Sequence, residues 1–99
     1  MTTFDLAKAT FESFAPRKDD VFDLQGSSGN LALRLADVQR LGPTPRAGGA
    51  FSLVFLGDPG PFLPQATYPL SHPELGVMEM FIVPLGPQGD GNAYEAVFA

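Results

Sequence analysis

The sequence has no cysteine and no tryptophan, a single histidine, and only six lysine and arginine residues against eleven aspartates and glutamates. Without cysteine the chain can form no disulfide, no thiolate metal site and no thiol nucleophile. That absence is compatible with either redox compartment. The basic residues are scattered and form no cluster that could neutralise a phosphate backbone, so nucleic-acid binding is not expected. No apolar run approaches the roughly 20 residues that a membrane-spanning helix needs. The opening MTTFDLAKATFESFA lacks a basic start, and Asp5, Lys8 and Glu12 interrupt any apolar stretch, so no signal peptide is expected. A cytoplasmic protein is the expectation, with signal-less export or incorporation into an extracellular assembly left open.

What is present is apolar, aromatic and heavily punctuated. The 99 residues suit one domain, 1–99, with a helical arm over 1–15 and a β-domain over 21–99. A chain of this length buries roughly two-thirds of its unfolded surface, enough for one core without covalent staples. Nine phenylalanines supply large, stiff core pieces, and ten prolines and eleven glycines fall in clusters between apolar runs. The organising stretch is Leu75 to Leu85, LGVMEMFIVPL, followed by AYEAVF over 93–98. Its density of Val, Ile, Met and Phe suggests a strand buried on both faces, and the intervening GPQGDGN suggests a hairpin turn.

In chain order, Phe4, Ala7, Phe11 and Phe14 are spaced three, four and three apart, which predicts a short amphipathic helix with Thr3 or Asp5 as N-cap and Pro16 as stop. Such a helix either plugs one end of its own sheet or inserts into a neighbouring subunit, and apolar helical stripes normally face their own core. Arg17 to Asp20 read as a solvated corner. Val21 to Leu24 and Leu31 to Ala36 read as two strands joined by QGSSGN, with Phe22, Leu24, Leu31, Leu33 and Leu35 inward. The apolar parity slips before Val38, which predicts a bulge near Asp37. LGPTPRAGG, 41–49, is a candidate contact loop. FSLVFL over 51–56 is a strand apolar on both faces, and 66–70 is a short strand whose Pro69 points to an edge position. Six strands at this spacing predict a mainly all-β fold, a small antiparallel barrel or sandwich with a short N-terminal helix.

Chemistry-bearing patterns are sparse. His72, in Ser71-His72-Pro73-Glu74, reads as a surface turn histidine, since a catalytic base needs a nucleophile and an orienting carboxylate around it. Asp19 and Asp20 alone make a poor metal site, and GDGN at 89–92 lacks the alternating ligands of a calcium loop. Glu79 and Glu95 could face each other across the hairpin, or face solvent or Arg34 and Arg40. No cofactor, no metal and no enzymatic activity are expected. A six-stranded barrel filled with Phe and Leu is also too small to hold a ligand inside, for which about eight strands are required.

Binding through surfaces remains. Met78 and Met80 alternate with Val77 and Phe81, so both faces of the organising strand are apolar and one must be covered by another part of the chain or another molecule. Candidate interaction residues are Phe4, Phe11 and Phe14 on the helix, Arg46 in the long loop, and Met78 and Met80, methionine being an adaptable contact residue. The partner would be a protein or a second copy of the chain.

Several segments resemble a known family. PQATYPLSHPELG over 64–76, MFIVPLGP over 80–87, YEAVF over 94–98, Phe11-Glu12 and FSLVF over 51–55 are similar to an uncharacterised bacterial family of about 100 residues labelled domain of unknown function 6916. The chain departs from it at 15–20, where the family tends to have a glycine-ended turn. The resemblance carries no assigned activity and so no catalytic residues. Its genomic company with phage-tail-collar-like proteins implies a fibre or tail-like assembly. The expectation is therefore a non-enzymatic structural or interaction subunit, self-assembling or accessory to such an assembly. A monomeric adaptor for one partner protein is the alternative, and a small-ligand barrel a further one.

Overall fold

The computed structural model describes residues 9–26, 29–42, 49–58, 63–89 and 91–98. A single-turn helix, α1 (Phe11–Phe14), runs into a 3-10 turn over Ala15–Arg17. Six strands follow: β1 (Val21–Gly26), β2 (Gly29–Arg40), β3 (Phe51–Gly57), β4 (Ala66–His72), β5 (Gly76–Gln88) and β6 (Gly91–Phe98). All pairings are antiparallel, and the order β1-β2-β3-β6-β5-β4 closes on itself. The fold is a six-stranded barrel, not a sandwich.

Alternation along the strands builds one interior. Phe22, Leu24, Leu31, Leu33, Leu35, Leu53, Phe55, Leu70, Met78, Met80, Ile82 and Tyr94 point inward and are buried. Phe22 meets Phe55 edge-on with ring centroids 5.4 Å apart. Each such side chain removed from water contributes roughly 1.5–3 kcal/mol. The bulge predicted by the parity slip lies between Leu35 and Asp37. It lets Leu35 and Val38 follow Phe55 and Leu53 while β2 bends round the barrel.

One end of the barrel is closed by α1. Thr10 and Ser13 form a reciprocal cap: the Thr10 N–H donates to Ser13 Oγ at 3.0 Å, and the Ser13 N–H to the Thr10 carbonyl at 3.0 Å. Phe14 sits 5.8 Å from Phe51 and 6.0 Å from Phe98, which themselves stack at 4.6 Å. Outside this plug, Arg40 lies 4.1 Å over the Phe11 ring and pairs with Glu12, pinning the helix to the end of β2. The helix therefore faces its own domain. It begins at Phe11 with Thr10 as its N-cap in place of the expected Thr3 or Asp5, Ala9 and Thr10 lie before the helix, and residues 1–8, with Phe4, lie outside the described residues.

Two other expectations, for β5 and β4, are corrected, and of the readings left open for Glu79 and Glu95 the face-to-face one drops out. β5 is buried on one face only: Met78, Met80 and Ile82 are inside while Glu79, Phe81 and Leu85 are exposed, because a barrel offers each strand a single inner face. β4 is paired on both sides, with β5 along its length and with β1 through Asp23↔Ser71 and Leu24↔Leu70. Pro69 comes next after that second pair, where a missing N–H costs the β1 ladder nothing. Glu79 is opposite Pro69, and Glu95 is opposite Val83 and Val54, so the two carboxylates do not face each other.

Candidate functional site

The segment expected to be a solvated corner is a junction. Its backbone extends the sheet: the Asp19 N–H donates to the Leu35 carbonyl at 2.7 Å, and the Leu35 N–H to the Asp20 carbonyl at 3.0 Å. Asp19 sits at φ 75, a left-handed conformation that Asp tolerates better than most residues and glycine best of all. Asp19 also pairs with Arg34 at 2.9 Å.

Asp20, held in place by β2, receives His72. The histidine ends β4, and its side chain is only 3% exposed, against the Phe22 ring at 4.7 Å. The expectation of a surface histidine is thus corrected; β1–β4 closure folds the turn back over the start of β1. His72 Nε2 lies 2.9 Å from Asp20 Oδ2. Its Nδ1 accepts from the backbone N–H groups of Glu74 at 3.0 Å and Leu75 at 3.3 Å. Glu74 in turn pairs with Arg17 at 3.0 Å. The imidazole therefore bolts the β4–β5 turn to the segment preceding β1.

This geometry decides what the histidine can do. With Nδ1 facing two N–H donors, the proton belongs on Nε2 and is donated to Asp20. Neither nitrogen then has a free lone pair for a general base. Asp20, His72 and Glu74 present ligand atoms within 4.8 Å of one another, a spacing that could suggest a cation. A metal-bound histidine normally donates its second N–H to an acceptor. Here the second nitrogen already accepts two donors, so a metal on Nε2 would require an imidazolate or a broken turn, and Arg17 occupies Glu74. The residues do not fit a metal. The neighbouring Ser71 Oγ faces the Asp23 carbonyl at 3.5 Å, away from any nucleophilic role with His72.

Beside the latch, Asp23, Ser71, Glu74 and Val77 line an open cleft of about 420 Å³. A second cleft of about 420 Å³ has Val21, Ala32 and Leu56 as its apolar floor, with Arg34, Asp58 and Gln88 around it. Arg34 is already paired with Asp19, so neither cleft presents an unpaired cation among the described residues.

A profile of a domain of unknown function, DUF6916, matches residues 9–98, from the residue before the helix cap through the last strand. The chain belongs to the DUF6916 family. No curated protein and no solved structure matches it.

In this DUF6916 domain the expected interaction residues are distributed unevenly. Phe14, Met78 and Met80 are core residues, buried because they face the barrel axis or its plug, and they are not available to a partner. Phe11 is half-buried beneath Arg40. Phe4 and Arg46, with most of the 41–49 loop, lie outside the described residues. Among the described residues the exposed large apolar side chains are instead Phe81 (52%) and Leu85 (52%) on the other parity of β5 and Val97 (54%) on β6, with Val21 on β1 and Leu41 after β2 lying apart from them. Alternation along β5 already separated Met78 and Met80 from Phe81, but nothing local said which set faced inward. The pairing of Asp20 with His72 escaped the sequence reading because 52 residues separate them. No helix among the described residues is long and apolar enough to cross a membrane.

Proposed function

We propose that this DUF6916 domain is a non-enzymatic structural or protein-interaction subunit. The observation that carries the reading is the half-exposed apolar row Phe81, Leu85 and Val97 on the outside of a barrel whose interior is filled. Large apolar side chains grouped on a sheet's outer face are the mark of a surface that another molecule covers. The locked His72 supports the non-enzymatic part, because the single histidine is committed to holding a turn. Service in a fibre or tail-like assembly is the finer form of this proposal, as the family resemblance implies.

The test is the native size of the protein in extract from the source cell, compared with purified protein over a range of concentrations. A subunit travels well above its 10.5 kDa monomer mass in extract, and Phe81→Ser returns it to monomer size without unfolding it. Growth of the purified protein with concentration identifies self-assembly; a monomer when pure but not in extract identifies an adaptor. A 10.5 kDa species under every condition overturns the reading.

A further inference from the structure

We infer that the outer face centred on Phe81 docks a segment of a partner protein that is apolar at its middle and carries lysine or arginine at its flanks, a conclusion that rests on the interaction-subunit reading above. The face is built by strand parity. Phe81, Val83 and Leu85 follow one another on the outer side of β5, with Glu79 preceding them. Val83 is paired with Glu95, where the β5–β6 pairing ends, and Val97 lies two residues beyond Glu95 on the same outward parity of β6. On the far side Thr67 is opposite Phe81, and Val54 is opposite Glu95. The apolar groups of this face are thus Phe81, Val83 and Val97, and the charges that β5 and β6 place beside them, among the described residues, are Glu79 and Glu95.

Charge chooses the occupant. All six lysines and arginines lie between residues 8 and 46, and none occurs from residue 47 to the end. Three of the arginines, Arg17, Arg34 and Arg40, are engaged with Glu74, Asp19 and Glu12. Glu79 and Glu95 have no ion-pair partner among the described residues. A second copy meeting this face symmetrically would bring two such carboxylates against two more, in a chain of net charge −5. A nucleic acid or an acidic segment meets the same repulsion. A segment with an apolar middle and cationic flanks covers Phe81 and Val97 while its charges meet Glu79 and Glu95.

The experiment pans a displayed library of random twelve-residue peptides against the full-length protein. Recovered sequences are expected to place aromatic or aliphatic residues between lysines or arginines. As synthetic peptides they should bind Phe81→Ser about tenfold or more weakly, as loss of a central aromatic anchor does. They should bind the Glu79→Gln/Glu95→Gln pair about two- to fivefold more weakly, in the range of exposed ion pairs, and lose affinity with added salt. Both variants alter side chains outside the buried core, Phe81 and Glu79 exposed and Glu95 half-buried, and amide spectra verify that each stays folded. Peptides that depend on Phe81 but lack cationic flanks overturn the partner chemistry while leaving the interaction reading standing. No recovered binder, or peptides indifferent to Phe81→Ser, removes the site. A dimer of the pure protein dissolved by Phe81→Ser assigns the face to a second copy and overturns the inference, though not the interaction reading.

Discussion

Replacing His72 tests the latch directly, because its two nitrogens do separable work. In His72→Ala the bond to the Asp20 carboxylate is lost, and a hydrogen bond to a charged group contributes roughly 1.5–3 kcal/mol. The Glu74 and Leu75 N–H groups lose their shared acceptor, and the Phe22 ring loses its neighbour at 4.7 Å. The adjoining cleft lets water reach the turn and offsets part of this cost. The expected loss is about 3 kcal/mol, a large share of the roughly 5–15 kcal/mol that holds such a domain, and a fall in Tm of roughly 12–24 °C. His72→Asn places Oδ1 near the position of Nδ1 and keeps the turn bonded while abandoning Asp20, so it should cost about half as much. Asp20→Asn retains an acceptor without its charge and should cost less than about 1 kcal/mol. Urea unfolding at pH 7, followed by far-UV circular dichroism with unchanged m-values, measures the series. Zinc added to the wild type should leave Tm unchanged. A His72→Ala cost below about 1 kcal/mol, equal costs for Ala and Asn, or a zinc-dependent rise in Tm would each refute the assignment of the ring as a doubly used structural bolt.

Other consequences follow from the packing. A Cβ on Gly91 would stand 2.1 Å from the Gly57 carbonyl oxygen, so Gly91→Ala must push β3 and β6 apart and should lower Tm by more than about 10 °C; Gly42→Ala, with nothing within 4 Å, is the matched control and should be near neutral. Phe14→Ala empties the plug over Phe51 and Phe98 and should cost about 3–5 kcal/mol in the same urea assay. The hydrogen bond from Arg40 holds the Glu12 carboxyl below its ordinary value of 4.5. A depressed folded value means that the Glu12 contribution is present above pH 4.5 and is lost as pH falls through the folded value. Side-chain NMR titration should show this midpoint shifted down in the wild type and restored by Arg40→Ala, and Glu12→Gln should shrink the stability change across that acid window.

Much of the barrel was legible along the chain, and the places where legibility ended share one cause. Period-two alternation marks strands, proline and glycine mark their ends, and a slip in parity marked the bulge before Val38, because each of these is a property of neighbouring residues. The short plug helix was legible for the same reason, through Phe11, Phe14 and Pro16. Parity, however, states only that Met78 and Phe81 lie on opposite faces. Which face is inside depends on strands far away, and the methionines went in. Closure itself rests on Asp23↔Ser71 and Leu24↔Leu70, two pairs that bridge almost half the chain and that no local pattern announces. With that closure came the burial of His72 and its bond to Asp20, which turned a surface histidine into a bolt. The sequence alone determined the number and position of the strands, the absence of cysteine chemistry and the acid bias of the second half. The tertiary structure alone decided barrel over sandwich, the lock on the one histidine and the outward display of Phe81, since each depends on long-range pairing that side-chain periodicity does not encode.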